Sequence, residues 1–488
     1  MTSLEVEMII WMRILYLGAA LCAAQEFADP ARSRLPPSPS EWLAKQQRTG
    51  PTAVTSSSSG GPIFTPTSYG GDPTGAADST AAVQAALDAA FAWTAPDPIL
   101  AALNGTKLFH GGAAVDLGGG TYRVAKPLRL GSGLSLRLCC GSLLADGAAF
   151  PDDGASFMLA NDAGSGEDQL EGLAVHDVFF DCNRRAAGAV RTNKALRVHL
   201  DRLYVAHFVA AGVRVEGGHE THVHNSWFGE WLWSEGHPKT ALNAVTGTAI
   251  DIEGQDAWVS DVIVFSALRG IVMGGGAAVI SNCHIYNGGA EALLVTGAAV
   301  RVLGSYFDFD GVVLQDPVAV DISHCMFLGG VGVELRSSTA GARCSGLTLV
   351  GNQFVVGNAP AGPETWRAVW RNETAGAFAP CSSTHIEANA FPAATYGPYV
   401  GQGFAPVGTR ATRSLRQANA TRWVVDFGGA LVFDSIDSVQ YSFELEDGFA
   451  VAAVRPRGAA GSADALRVVV ETQAPVSGVL YVTVTQAA

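Results

Sequence analysis

Two carboxylate side chains alternate with apolar residues in the stretch 247–254, Gly-Thr-Ala-Ile-Asp-Ile-Glu-Gly. In an extended strand every second side chain points to the same face, so Asp251 and Glu253 are predicted to lie about 6.7 Å apart on one outer face. Two carboxyl groups at such a distance can serve as general acid and general base, as in inverting glycoside hydrolysis, where they lie roughly 6.5–9.5 Å apart. This pair is the first catalytic candidate.

Charged residues of the preceding repeat fall at the matching outward positions. Arg214 and Glu216 stand one repeat earlier, which makes Glu216 a second possible partner for Asp251. Crowded carboxylates raise one another's pKa, and this effect would supply a general acid. His219 and Asp256 follow in the loops that flank the same two repeats, and they are further candidates. Outward charges on such strands are usually only solvated, which is the competing interpretation of this cluster.

A tryptophan-rich insertion interrupts the repeat directly before this stretch. Val213 and Ile250 lie 37 residues apart, whereas the next equivalent step takes 21 residues. Insertions in repeat proteins form loops, often on the binding face, although the tryptophans could instead pack the loop onto the body. Arginine and lysine would bind an anionic sugar, and tryptophan would stack on its ring. The predicted substrate-binding residues are Arg214, Lys239, Trp231 and Trp233.

The surrounding chain repeats a short apolar strand about every 20 residues. The first apolar positions of successive copies are 250, 271, 293, 312 and 333, with steps of 21, 22, 19 and 21. A period near 20 that is built of short strands, without helical spacing, is typical of a β-solenoid. The prediction is an all-β chain that forms a single-stranded right-handed parallel β-helix.

Elements of a different pattern stand at the two ends of the repeats. Residues 81–91 predict an amphipathic helix with Val83, Leu87 and Phe91 on one face, capped by Asp78 or Ser79, which would cover the open end of the solenoid. After residue 400 the period is lost and the chain alternates like ordinary strands. The predicted organisation is a signal peptide at 1–24, a flexible leader at 25–62, the β-helix at 63–400 and a small C-terminal β-domain at 405–488.

Composition and charge limit the partners. The chain has 488 residues and a net charge of -14, with no basic cluster, which argues against nucleic acid. The apolar run at 14–24 ends in small residues and predicts a secretory signal rather than a membrane anchor, because it is too short to span a bilayer. The expectation is a secreted monomer without a membrane segment after signal cleavage.

Cysteine and asparagine positions fit a secreted chain. Seven cysteines follow the signal, so at least one is unpaired. Cys283 and Cys325 fall at equivalent places in two repeats and are predicted as buried residues, whereas Cys344 and Cys381 are the candidate disulfide. No Cys/His spacing is typical of a metal site, and no metal or cofactor is predicted. Glycosylation sequons occur at Asn104, Asn372 and Asn419.

Several stretches resemble one known fold family. The segment 69–91, the Gly-Gly-Gly-Thr-Tyr run at 118–122 and the 20-residue repeats resemble the pectin-lyase-like right-handed parallel β-helix superfamily. Within it, the chain is similar to the plant polygalacturonases of the quartet type over roughly residues 65–488. The most specific matches are 217–221, 247–251 and 261–267. The resemblance implies an extracellular, metal-free hydrolase that acts on the pectic galacturonan of plant cell walls.

The usual catalytic motifs of polygalacturonases are not present in full. Those motifs are Asn-Thr-Asp, Asp-Asp, Gly-His-Gly and Arg-Ile-Lys. Here Phe307-Asp-Phe-Asp310 matches part of the Asp-Asp element, and Arg269-Gly-Ile lacks the lysine. Asp308 and Asp310 could instead cap a turn. The alternative functions are a calcium-dependent polyuronate lyase, for which carboxylates would hold the cation, and a wall-binding β-helix without catalysis.

Overall fold

The architecture was established with a computed structural model of the full chain. It describes residues 61–93, 112–162, 169–229, 247–286, 290–308, 310–328, 332–355, 369–379, 381–390 and 408–486, the last range with gaps at 429, 432, 434, 447–451 and 458–464. The predicted signal peptide, nearly all of the leader, Asn104 and the insertion with Trp231, Trp233 and Lys239 lie outside these ranges. None of the described helices is long and apolar enough to cross a membrane.

The described chain folds as a parallel β-helix in which each coil contributes up to three short strands. Equivalent strands of successive coils pair in parallel and in register, so they form three stacks. The first stack contains β1 (Ile63–Phe64), β3 (Ala114–Asp116), the first parts of β7 (Arg137–Ala145) and β10 (Ala174–Asp181), β12 (His199–Asp201), β15 (His222–His224), β18 (Trp258–Ser260), β21 (Val279–Ser281), β24 (Arg301–Leu303), β27 (Asp321–Ser323), β30 (Thr348–Val350) and β33 (His385–Glu387).

The second stack follows the first directly in every coil. It contains β2 (Thr74–Asp78), β4 (Thr121–Val124), the second parts of β7 and β10, β13 (Tyr204–Ala206), β16 (Trp227–Gly229), β19 (Ile263–Phe265), β22 (His284–Tyr286), β25 (Tyr306–Asp308), β28 (Met326–Leu328) and β31 (Gln353–Val355). The first and second stacks are joined through the long strands β7 and β10, so together they count as one 21-stranded sheet.

The third stack is a separate 10-stranded sheet. It contains β5 (Leu128–Leu130), β8 (Phe157–Asn161), β11 (Gly188–Asn193), β14 (Ala211–Glu216), β17 (Thr248–Ile252), β20 (Arg269–Met273), β23 (Leu293–Val295), β26 (Val312–Gln315), β29 (Val333–Arg336) and β32 (Val369–Asn372). Its register aligns Ile250 with Ile271, Leu293, Val312 and Val333, which confirms the alignment predicted from the repeat. The prediction of an all-β parallel β-helix is confirmed.

One continuous apolar core fills the interior of the coils. Inward residues of neighbouring coils lie directly above one another, so like side chains stack, as Phe307, Phe327 and Phe354 do at ring distances of 5.1 and 4.7 Å. Each aromatic pair of this kind contributes about 0.5–1.5 kcal/mol beyond the burial of its area. The apolar positions of the repeat are therefore explained by the stacking itself.

A single α-helix, α1 (Thr80–Ala92), packs against β1, β3, β4 and β5, which are early strands of all three stacks. Its predicted inward face is confirmed, because Val83, Leu87 and Phe91 belong to the main core. Ser79 occupies the position before the first helical residue, but its hydroxyl accepts from the Asp72 amide instead of capping the helix. A short 3-10 helix (Pro66–Tyr69) precedes α1, and β6 (Gly133–Leu134) pairs with β9 (Leu170–Glu171).

The chain after residue 408 forms an antiparallel sheet. Its strands are β34 (Arg410–Asp426), β35 (Ser438–Leu445), β36 (Ala452–Arg457) and β37 (Arg467–Thr485), with β37 paired to the other three. The sheet has its own core around the buried Trp423. Phe433 joins the main core, and Thr409 exchanges two hydrogen bonds with Ile386 at the last described coil. The predicted boundary at 400–405 remains a prediction.

Two predictions about the cysteines are confirmed. Cys344 and Cys381 form a disulfide, and Cys283 and Cys325 are free and buried, as predicted. Cys182 is also buried. A second disulfide, between the adjacent residues 139 and 140, was not predicted.

Two neighbouring glycines at the end of β20 give a test of the stacking. A Cβ at Gly275 would overlap the carbonyl oxygen of Gly254 on the preceding coil, whereas a Cβ at Gly274 would meet no heavy atom nearer than 3.5 Å. We expect Gly275→Ala to lower the free energy of unfolding by more than about 3 kcal/mol and Gly274→Ala to change it by less than about 1 kcal/mol. Denaturant unfolding of the two variants measures this difference, and equal stabilities would contradict the register.

Candidate active site

The two residues of the first candidate lie on the outer face of the third stack. Asp251 is half-buried, and its Oδ2 accepts from Nε of its register partner Arg214 at 3.2 Å. The Arg214 guanidinium also lies 5.7 Å from the centre of the Phe157 ring. Glu253 is exposed beyond the end of β17. Val272 occupies the position of Asp251 on the next coil.

The other predicted carboxylates also have cationic neighbours. Glu216 accepts from Nε and Nη2 of Arg191 on the preceding coil, at 3.0 and 2.8 Å. His219 Nδ1 and Asp256 Oδ2 lie 3.0 Å apart in an exposed contact at the corner between the third and first stacks. Asp251 and Glu216 therefore each pair with an arginine of the preceding coil, and among the described contacts no carboxylate of this set touches another. Their catalytic role remains a prediction.

A different carboxylate lies at the corner where the second stack turns into the third. Glu291 precedes β23, and its two oxygens are held by arginines of other coils: Arg269 Nε reaches Oε2 at 2.8 Å and Arg336 Nη1 reaches Oε1 at 3.1 Å. Burial would raise the pKa of Glu291, but the hydrogen bonds from the two arginines outweigh burial, and the pKa is lowered. Glu291 is therefore ionised over the physiological range.

Asp310 occupies the equivalent position on the next coil. It stands two residues before Val312, as Glu291 stands two residues before Leu293, and these two apolar residues are register partners. Burial raises the pKa of Asp310 to about 7, and the negative charge of Glu291 adds to the rise. Its Oδ2 is buried without a hydrogen-bond partner among the described residues. Asp310 therefore holds a proton under mildly acidic conditions.

Three more polar residues surround this pair. The pKa of Tyr286 is raised by burial and then by the charges of Asp308 and Asp310, which places the phenol beside both carboxyl groups. Asp308 is buried, and its Oδ2 lies 2.9 Å from Nε2 of His284 on the preceding coil. Its Oδ1 has no hydrogen-bond partner within the described part of the chain. One oxygen of Asp308 and one of Asp310 are thus buried at this corner without a hydrogen-bond partner among the described residues.

The chemical capacity of this corner follows from the opposite pKa shifts. Two titratable groups whose surroundings push their pKa values apart can divide the roles of acid and base. Asp310 keeps a proton that it can donate, while Glu291 stays ionised and can accept one. Adjacent coils are spaced at about 4.8 Å, so the two groups can act on the same bound molecule. We call this set, Arg269, Glu291, Asp310 and Arg336, the corner site.

The sequence contains a signal for the corner site, which lies just before the apolar positions that define the repeat. Counting two residues back from each first apolar position gives Thr248, Arg269, Glu291 and Asp310 in successive repeats. The partial motif at 307–310 and Arg269-Gly-Ile already pointed to two of them. Glu291 was missed because it stands alone between alanines, and Arg336 was missed because it reaches Glu291 from two coils away.

The fold and the corner site define a class of protein. Parallel three-strand coils around an apolar core are the architecture of the pectin-lyase-like β-helix superfamily. Polygalacturonase QRT3 of Arabidopsis thaliana is 33% identical to the chain over 434 residues, which cover 87% of this chain and 84% of that protein. The chain therefore belongs to the family of quartet-type polygalacturonases.

Other comparisons concern the fold alone. No protein-family model matches the chain. The solved structure of ORF18 from Geobacillus virus E2 is similar with a TM-score of 0.52 and 14% identity, covering 85% of this chain and 77% of that one. PfbA, a surface adhesin of Streptococcus pneumoniae, has a TM-score of 0.46 and 14% identity over 67% of this chain and 91% of its own.

The raised pKa of Asp310 predicts a dependence of stability on pH. Between its ordinary pKa of 3.8 and about 7 the folded state holds a proton that the unfolded state releases, so this carboxyl lowers stability as the pH rises through that window. Asp310→Asn removes the ionisable group. We expect the variant to gain in melting temperature over the wild type at roughly pH 8 and to lose that advantage near pH 4. Thermal unfolding at both pH values tests this, and an equal difference at the two would contradict a buried acid.

Proposed function

We propose that the chain is a glycoside hydrolase that cleaves the α-1,4-galacturonan of plant cell walls at the corner site. The observation that carries the proposal is the pair of half-buried carboxyls on adjacent coils, with the pKa of Asp310 raised to about 7 and that of Glu291 lowered. Hydrolysis of a glycosidic bond requires one carboxyl of each kind. The name of the Arabidopsis relative supports the choice of galacturonan.

In this mechanism Asp310 donates its proton to the glycosidic oxygen as the bond to the leaving sugar breaks. Glu291 accepts the proton that the attacking water gives up. Burial raises the pKa of Asp310, so this residue keeps the proton that it donates. Glu291 stays ionised because Arg269 and Arg336 donate hydrogen bonds to it. The corner thereby provides acid and base without a metal-dependent step.

Arginines give the acidic protein a local affinity for uronate groups. The Arg269 side chain is 40% exposed, so it can contact a bound carboxylate while it holds Glu291. Arg336 donates to both oxygens of Glu334, at 2.8 and 3.1 Å, in addition to Glu291. Arg214 lies on the same outer face, four coils before Asp310. We infer that the face of the third stack between Arg214 and the corner site carries the polysaccharide, with Asp251 and Glu216 setting the orientation of their arginines.

The proposal includes secretion to the cell wall as a monomer. The apolar run at 14–24 and the sequons support it, together with the name of the relative. An acidic wall suits the corner site, because a mildly acidic pH keeps Asp310 protonated. Trp231, Trp233 and Lys239 lie outside the described residues, and we retain them as proposed substrate contacts.

Activity on polygalacturonate tests the corner site against the first candidate. We expect Asp310→Asn and Glu291→Gln each to lower kcat by roughly 10²- to 10⁴-fold, because each removes one proton-transfer group. Asp251→Asn is the control and should keep kcat, with an effect on KM at most. Wild-type activity should fall as the pH rises through about 7, when Asp310 loses its proton. Release of reducing ends measures the kcat of each of the three variants and the pH dependence of wild-type activity.

The products distinguish the remaining functions. Unsaturated ends that absorb ultraviolet light, with activity lost on addition of a chelator, would establish a lyase. Pectin binding without reducing ends at any pH would establish a binding protein. Loss of kcat in Asp251→Asn with retention in Asp310→Asn would move catalysis to the first candidate.

The sequons give a separate test of secretion. The Asn372 side chain is hydrogen-bonded within the fold: its Nδ2 donates to Glu334 at 2.7 Å, and its Oδ1 accepts from the Thr374 amide. Asn419 is exposed. We expect a secreted protein to carry glycan at Asn419 and not at Asn372. Asn419→Gln should therefore lower the mass by one glycan and Asn372→Gln should not, as measured by mass spectrometry with and without enzymatic deglycosylation. A glycan at Asn372 would contradict its packing.

A further inference from the structure

Two cysteines and a histidine converge on the outer side of the first two stacks, far from the corner site in the chain. The ligand atoms of Cys139, Cys140 and His176 all lie within 4.8 Å of one another. Among the described residues no other group of three or more histidine, cysteine, aspartate or glutamate side chains meets this limit. No local sequence pattern reveals the cluster, because His176 stands 36 residues after Cys140.

The backbone explains why both sulfurs face the histidine. Cys139 and His176 are register partners on the adjacent strands β7 and β10, so their side chains point to the same side one coil apart. The next residue of a regular strand would point the opposite way. Cys140 instead has a φ of 71°, in the left-handed region that side chains other than glycine rarely adopt. This conformation brings its sulfur next to that of Cys139, with which it forms a disulfide.

A fixed hydrogen-bond chain orients the histidine. Arg202 donates from Nε and Nη2 to the two oxygens of Asp177, at 2.7 and 2.9 Å. The Asp177 carboxylate then faces Nδ1 of His176 at 2.8 Å. A carboxylate held in this way accepts hydrogen bonds, so Nδ1 carries the proton and the lone pair is on Nε2. Histidines that bind metal ions in proteins are commonly oriented by such a carboxylate.

We propose that Cys139, Cys140 and His176 form a redox-gated site for a soft metal ion of the Zn²⁺ class. In the oxidised protein the disulfide blocks the site. A dithiol reductant transfers two electrons and two protons to the disulfide, which yields two thiols and leaves the reductant as its own disulfide. The metal ion then displaces both thiol protons and binds two thiolates and the neutral imidazole.

The donor set determines which ion the site favours. Two thiolates and one imidazole suit Zn²⁺ and similar soft ions, whereas Ca²⁺ and Mg²⁺ prefer oxygen ligands. Zinc with three protein ligands keeps a fourth position for water. Cys139 is buried, and Cys140 and His176 are half-buried, so the site is sheltered on one side and reachable from the other. A bound metal ion would link the two cysteines of β7 to His176 of β10, and it would stabilise the early coils in the reduced protein.

Metal titration of the full-length secreted protein tests the proposal. The protein is treated with a dithiol, freed of reductant without oxygen, and titrated with Co²⁺, whose thiolate charge-transfer absorption reports sulfur ligation, and then with Zn²⁺. We expect one ion per chain in the reduced protein and none in the oxidised protein. His176→Gln should lose the site, and Asp177→Asn should weaken the affinity by about 10- to 100-fold. His224→Gln, two coils further along the same column, is the matched control and should bind like the wild type.

A double variant, Cys139→Ser with Cys140→Ser, accounts for the remaining sulfurs. It keeps the Cys344–Cys381 pair and the buried residues Cys182, Cys283 and Cys325, so its metal uptake after reduction is the background. The proposal is overturned if the reduced wild type binds no more metal than this variant. It is equally overturned if His176→Gln binds as tightly as the wild type, or if the oxidised protein binds to the same extent as the reduced one.

Discussion

In-register stacking of parallel coils is the constraint on which this structure depends. Each side chain faces its own counterpart about 4.8 Å away on the coils above and below. Inside the coils this favours columns of like apolar residues, such as the phenylalanines from Phe307 to Phe354. Outside it favours opposite charges on neighbouring coils, because like charges at this distance repel. Arg214 with Asp251, and Arg269 with Glu291, follow that rule.

The corner site departs from the same rule. Glu291 and Asp310 are two carboxyls on adjacent coils, and ionising both in a partly buried place would be unfavourable. The fold resolves the conflict asymmetrically, since two arginines hold Glu291 ionised while Asp310 retains its proton. Local violations of a fold's own pattern are common at functional sites. Here the violation produces the division between acid and base that the proposed reaction needs.

The repeat period made the fold and its register predictable from the sequence, since apolar spacing is a property of each strand. It also placed Asp251 opposite Arg214, but outward direction does not reveal whether a charge is paired. The corner residues depended on features that no local pattern contains. Asp310 becomes an acid through burial, Glu291 stays ionised through Arg336 from two coils away, and Cys140 joins Cys139 through an unusual backbone angle. The disulfide between Cys344 and Cys381 was predictable from cysteine placement, whereas the one between adjacent cysteines was not.

Stability and the proposed activity depend on the same proton. When Asp310 is protonated, it does not repel Glu291, so this part of the fold is more stable. The same proton is the one that Asp310 donates in the proposed reaction. As the pH rises through about 7, the carboxyl ionises although its buried Oδ2 has no hydrogen-bond partner among the described residues, and both properties decline together. The arginine pairs on the outer face keep their charge over this range, because guanidinium does not titrate there. Mildly acidic surroundings therefore favour the folded protein and its proposed chemistry for one physical reason.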